Sequence, residues 1–122
     1  MSPTYPDELD DRLDDDAPFV LDIRPRTAYQ SGAIDGSHNI PVYDELRGGD
    51  ESSFRAALEE LPDNEEIVVV CKMGVVAKRA TRILTDEGYD ATTLAGGMSG
   101  WNGYQSGSLG YKLRSLIWSL RR

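Results

Sequence analysis

Four consecutive β-branched residues, Ile67-Val68-Val69-Val70, run into Cys71 and then, within a few residues, into Val75-Val76-Ala77-Lys78-Arg79-Ala80-Thr81-Arg82-Ile83-Leu84. An unbroken apolar run bounded by a Gly-containing turn reads as a buried central strand, and the Ala/Lys/Arg/Leu-rich stretch after it reads as a helix. Strand, tight loop and helix in this order imply parallel β-α-β packing, which requires a layered α/β domain. In such sheets ligands bind beyond the carboxyl ends of the strands, and Cys71 falls at that place.

The rest of the chain repeats the alternation. Residues 7–16, with Leu9 and Leu13 four apart and Pro6 at the start, predict a short helix with a very acidic exposed face. Phe19–Ile23 reads as the first buried strand, and Arg24-Pro25-Arg26 as a turn. Thr27 is expected to cap a short helix through Gln30 that Gly32 stops. His38-Asn39-Ile40 is a short strand ended by Pro41. Ser52 or Ser53 is expected to cap a helix reaching about Glu60 and ended by Pro62. The helix after Cys71 is predicted from about Val75 to Glu87, ending at Gly88. Thr92-Thr93-Leu94 is a further strand, followed by Gly96-Gly97, and residues 105–108 form a polar break.

Composition excludes several function classes. At 122 residues the chain makes one small domain with a single core, without internal repeats. Its formal net charge of −8 argues against generic nucleic-acid binding, which needs a basic footprint. Lysine is confined to positions 72, 78 and 112, and Asp outnumbers Glu. An acidic, lysine-poor surface suits a high-salt cytosol and points to a halophilic source. A single cysteine rules out an internal disulfide, so a reducing cytoplasm is expected. The N-terminus lacks signal-peptide features, and no apolar run approaches the roughly 18 residues of a membrane span. One Cys and one His make no credible metal site, and no cofactor is implied.

Basic residues crowd the cysteine. Lys72, Lys78, Arg79 and Arg82 lie between positions 71 and 82, where there is no Asp or Glu. Positive potential and a helix N-terminus favour the thiolate, the nucleophilic form, and attract an anionic substrate. The alternative is a small buried residue that merely ends a strand.

Three segments resemble the single-domain rhodanese family of sulfurtransferases. Leu21-Asp22-Ile23-Arg24, followed by Tyr29, Gly32, Ile34, Gly36 and Asn39-Ile40-Pro41, resembles the first-strand signature and the motif after it. Cys71-Lys72-Met73-Gly74-Val75-Val76 resembles the active-site loop. Leu94-Ala95-Gly96-Gly97-Met98 and Trp101 resemble the closing motif. Order and spacing fit over about residues 4–104.

The resemblance implies a rhodanese-like three-layer domain over 1–106, with a central, mostly parallel five-stranded sheet flanked by helices. It also implies that Cys71 carries a persulfide. A donor such as thiosulfate or a persulfide supplies the sulfur, and cyanide, a thiol or a sulfur-carrier protein accepts it. Lys72, Met73, Gly74, Val75, Val76 and Ala77 are the expected substrate-binding loop. Its N–H groups can cradle the persulfide anion, and Lys72 is suited to hold a donor's sulfonate. Three departures from the family pattern stand out. Ala33 replaces a usual His, Ala28 an often charged residue, and Val76-Ala77 positions that often hold Arg, Thr or Ser.

Other residues receive structural readings. His38 is expected at a strand end, Asp22 as a tether for loop N–H groups, Arg24 as the holder of a carboxylate, and Trp101 as a core plug. A phosphatase of the related dual-specificity type needs Cys-x5-Arg, and position 77 is Ala. The third class is a weakly catalytic or non-catalytic module that binds, or delivers sulfur to, one protein partner. Residues 107–122 are set apart as a basic amphipathic tail. Leu109, Leu113, Leu116, Ile117 and Leu120 form one stripe, with Lys112, Arg114, Arg121 and Arg122 and no acidic residue over 112–122. The tail is expected to pack on the domain through that stripe. Docking to a partner or lying on a membrane surface are the alternatives.

Overall fold

The computed structural model describes residues 3–107 and 109–121. Four strands, β1 (Phe19–Asp22), β2 (His38–Asn39), β3 (Ile67–Val70) and β4 (Ala91–Thr93), form one parallel sheet in the order β2-β1-β3-β4. Seven helices accompany it: α1 (Pro6–Arg12), α2 (Arg26–Ser31), α3 (Tyr43–Arg47), α4 (Ser52–Ala56), α5 (Val76–Asp86), α6 (Gly97–Ser106) and α7 (Leu109–Arg121). A 3-10 turn spans Leu58–Glu60.

The apolar run at 67–70 is the hinge of the architecture. Every side chain of β3 is buried, because both faces of the sheet are covered. Strand alternation sorts these side chains into two cores. Ile67, Val69 and Cys71 join Leu21, Ile23, Phe54, Ala80 and Leu84 on the α3–α5 side. Val68 and Val70 join Leu9, Val20, Leu94, Met98 and Trp101 on the α1 and α6 side. Each fully buried Val, Leu or Ile contributes about 1.5–3 kcal/mol of burial. Register sets where the site lies. Asp22 is opposite Val70, and Val69 is opposite Thr93, so Ile23–Arg24, Cys71 and Leu94–Gly96 leave the sheet at one carboxyl edge.

Several expectations need correction. The described residues contain four strands, not five. The fifth position is a single bridge, in which Thr4 N–H donates to Thr93 O and Ala95 N–H to Thr4 O. Pro3 lacks an N–H and Pro6 opens α1, so the segment between them is too short to extend the ladder. Neither Thr27 nor the serines at 52 and 53 cap their helices, whose N-cap positions are Pro25 and Glu51. Ser52 is instead tied back by Asp50, whose Oδ1 accepts from both its N–H and its hydroxyl.

The tail is a helix, but its aliphatic stripe does not face the domain. Leu109, Leu113, Leu116, Ile117 and Leu120 are each at least half exposed. The opposite face packs instead. Tyr111 is buried, and the rings of Trp118, Tyr111, Tyr104 and Trp101 run in sequence with centroids 5.3–5.9 Å apart. Trp118 also meets Tyr5 at 5.2 Å. Arg122, counted among the basic residues of the tail, lies outside the described residues. Among the described residues, no helix is long and apolar enough to cross a membrane.

Candidate active site

The loop Cys71–Val75 wraps around the sulfur of its first residue. Cys71 continues the β3 alternation, so its side chain turns toward α5 and is only 1% exposed. Two backbone donors reach Sγ: Gly74 N–H at 3.1 Å and Ala77 N–H at 3.4 Å. Ala77 belongs to the first turn of α5, where N–H groups have no partner within the helix. The sulfur therefore sits on donors that suit a negative charge, at the positive end of a helix dipole.

This closure needs glycine at two points. Gly74 has φ +85°, and a Cβ there would meet Leu94 O and Gly96 N at 3.2 Å. Gly97 has φ +57° and presses its backbone onto the loop from the other side. The first turn of α6 holds the loop further. Met98 N–H donates to Cys71 O at 2.8 Å and Ser99 N–H to Lys72 O at 2.9 Å. The Leu94–Gly97 turn is thus the anvil on which the cysteine loop is formed.

The other expected loop residues divide into two groups. Lys72, Met73 and Val75 are exposed, with Met73 at 48% and Val75 at 69%. Val76 and Ala77 have side chains buried in the α5-side core, so position 77 offers the sulfur its N–H rather than its methyl group. Gly74 contributes an N–H as well.

Asp22 and Arg24 brace the neighbouring strand end. Arg24 donates from its N–H and Nε to Asp22 Oδ1 at 3.0 Å, and from Nη2 to Asp22 Oδ2 at 2.8 Å and Gly32 O at 2.7 Å. Asn39 Nδ2 donates to both Asp22 O and Arg24 O. These bonds tie Asn39 to the Asp22–Arg24 strand end in one brace. His38 lies elsewhere. It is on β2, opposite Leu21 and with β1 between it and β3, and its ring stacks on Phe19 at 4.4 Å. Ala28 and Ala33 line a smaller cavity of about 390 Å³ with Arg24, Met98 and Trp101.

Sequence reasoning missed the groove beside the loop. A cavity of about 900 Å³ opens along Met73, Gly74 and Val75, and Lys78, Arg82, Thr92, Tyr5, Trp118 and Arg121 also line it. Its far wall comes from α7, whose inward face no aliphatic period marks. The available signal was the seven-residue spacing of Tyr111 and Trp118.

The fold has known relatives. A family model described as a rhodanese-like domain matches residues 5–104. The adenylyltransferase and sulfurtransferase MOCS3-2 of Zea mays is 32% identical over 90 residues, which is 72% of this chain. The matched part is 18% of that relative, so the chain spans under a fifth of its length. The thiosulfate sulfurtransferase GlpE of Shewanella oneidensis is 26% identical over 84 residues, covering 68% of this chain and 74% of GlpE. The structure of the human single-domain sulfurtransferase TSTD1 superposes with a TM-score of 0.61 at 28% identity, covering 80% of this chain and 91% of that one.

Proposed function

The chain belongs to the rhodanese-like domain family, and from that premise we propose that it is a sulfurtransferase working through a persulfide on Cys71. The Cys71 thiolate attacks the outer sulfur of a donor such as thiosulfate. The new S–S bond forms as the donor's S–S bond breaks, and sulfite leaves with the electron pair. A nucleophilic acceptor (cyanide, a thiol or a sulfur-carrier protein) then attacks the outer persulfide sulfur and returns Cys71 as thiolate. Two displacements replace one difficult transfer, and one cysteine is enough.

The observation that carries this reading is the pair of N–H donors from Gly74 and Ala77 on a single buried sulfur at a helix N-terminus. Lys72, exposed on the same loop, is suited to steer a sulfonate. The test is intact mass spectrometry of the wild type and Cys71→Ser after exposure to thiosulfate and to a persulfide donor. Wild type gains one sulfur atom and Cys71→Ser gains none. A wild-type mass that stays unshifted with both donors refutes the proposal.

A second reading is a module that receives or passes sulfur only with a specific protein. It is favoured by the 1% exposure of Cys71. In that case loading from small donors is slow, and loading from a persulfidated protein is fast.

A further inference from the structure

We propose that the groove between α5, β4 and α7 is a docking channel for an acidic polypeptide segment of a partner protein. Three cations line it: Lys78 and Arg82, one turn apart on α5, and Arg121 on α7. All three are exposed, and none forms an ion pair with a described residue. Four other arginines are committed elsewhere. Arg12, Arg24 and Arg55 pair with carboxylates, and Arg79, next to Lys78, turns away to donate to Leu46 O. The chain carries 21 Asp and Glu residues, yet the groove lining includes neither type. Among the described residues these basic side chains have no counterion, in a chain of net charge −8, which marks a surface complementary to negative charge.

The shape narrows the class of ligand. A volume of about 900 Å³ is far more than a small inorganic anion fills. Cations stand on two walls, and the rings of Tyr5 and Trp118 supply an apolar surface between the N-terminal segment and α7. An extended chain with spaced carboxylates satisfies both features. Met73-Gly74-Val75 lines the groove, so a segment lying there is brought beside the cysteine loop. A sulfur-accepting role for that segment rests on the sulfurtransferase reading; the docking itself does not.

The test is fluorescence anisotropy of the full chain with a labelled, alternating Glu/Gly peptide and its Gln/Gly counterpart, with circular dichroism confirming the fold. The Glu peptide binds and the Gln peptide does not. Raising KCl from 0.1 to 1 M weakens binding about tenfold or more, since the screening length falls to roughly 3 Å. Arg82→Glu with Arg121→Glu weakens binding about tenfold or more, while Arg26→Glu with Arg47→Glu, an equal charge change elsewhere, stays within about twofold. No binding, equal binding of the Gln peptide, or unaltered binding in the 82/121 pair overturns the proposal. So does capture of phosphatidylglycerol vesicles in place of the peptide. Sulfur loading of Cys71 in the same wild-type sample, read by mass, tests the sulfurtransferase reading separately.

Discussion

The backbone of Gly97 is pressed against the carbonyl of Cys71: a Cβ added at Gly97 would lie 2.4 Å from that oxygen and 2.8 Å from Gly74 N. The cysteine loop and the turn that opens α6 are therefore one interlocked unit, and the fit of one sets the shape of the other. Gly97→Ala combines a left-handed backbone with a clash that only backbone movement relieves. Gly36 separates the two effects, because it also has positive φ, +80°, but has nothing within 4 Å of an added Cβ. Gly36→Ala is expected to cost about 1–2 kcal/mol in urea unfolding. Gly97→Ala is expected to cost at least ~3 kcal/mol and to slow alkylation or sulfur loading of Cys71. Equal losses for the two variants would show that the interlock does not govern the loop.

Buried charge sets the second expectation. The Asp22 side chain is 1% exposed and that of Arg24 10%, with Nη2 2.8 Å from Oδ2. Removing either partner leaves the other without its counter-charge in a dry setting. Asp22→Asn and Arg24→Ala should each cost about 3–5 kcal/mol, while Asp22→Leu with Arg24→Leu together should cost less than their sum. Single losses below about 1 kcal/mol in chemical unfolding would show that the brace is dispensable.

Much of this arrangement is written in local sequence. Ile67–Val70 is legible because no position in it tolerates water, and the strand end at Cys71 follows from the same run. Helix α5 is legible from its Ala/Lys/Arg/Leu-rich composition after a strand and a turn. Helix α6 is not. Gly97, Gly100 and Gly103 dilute its pattern, and its value lies in close backbone approach, which periodicity does not record. The two donors to Sγ come from main chain, so side-chain identity at Ala77 says nothing of its contact. In α7 the aliphatic stripe is the stronger pattern, yet the aromatic face packs, because Tyr111 meets the ring of Tyr104 in α6 and Trp118 that of Tyr5 beside α1.

Alkaline pH reports on the join between α1 and α6. Tyr104 donates its hydroxyl to Asp10 Oδ2 at 2.5 Å, and this bond to a carboxylate pushes the phenol up from its usual 10 to about 12, with burial and the Asp10 charge acting in the same direction. A phenol whose folded value is raised stabilises the fold fully below its unfolded value. That contribution is lost as pH rises through the window from 10 to about 12. Spectroscopic titration should show Tyr104 ionising near 12 rather than at its usual 10, and Tyr104→Phe should remove that step together with its share of the alkaline stability loss. If Tyr104→Phe leaves both curves unchanged, the hydrogen bond is not formed in solution.

Helix α7 lies outside the residues matched by the family model and meets the domain through a ladder of rings. Trp118 contacts Tyr5 at 5.2 Å and Tyr111 at 5.9 Å, and such pairs contribute about 0.5–1.5 kcal/mol each beyond the area they bury. Trp118→Ala removes both pairs and leaves the core around β3 intact, since Trp118 belongs to neither core cluster. Local opening of α7 should therefore become easier by roughly tenfold or more, while global unfolding changes little. Amide hydrogen exchange is the measurement. Protection over 111–121 falls in Trp118→Ala, and protection over 67–70 does not. Because Arg121 is held against the groove by this same helix, Trp118→Ala should also weaken binding of an acidic peptide without removing a charge. Undiminished protection across α7 would mean that contacts other than the aromatic ladder hold the helix in place.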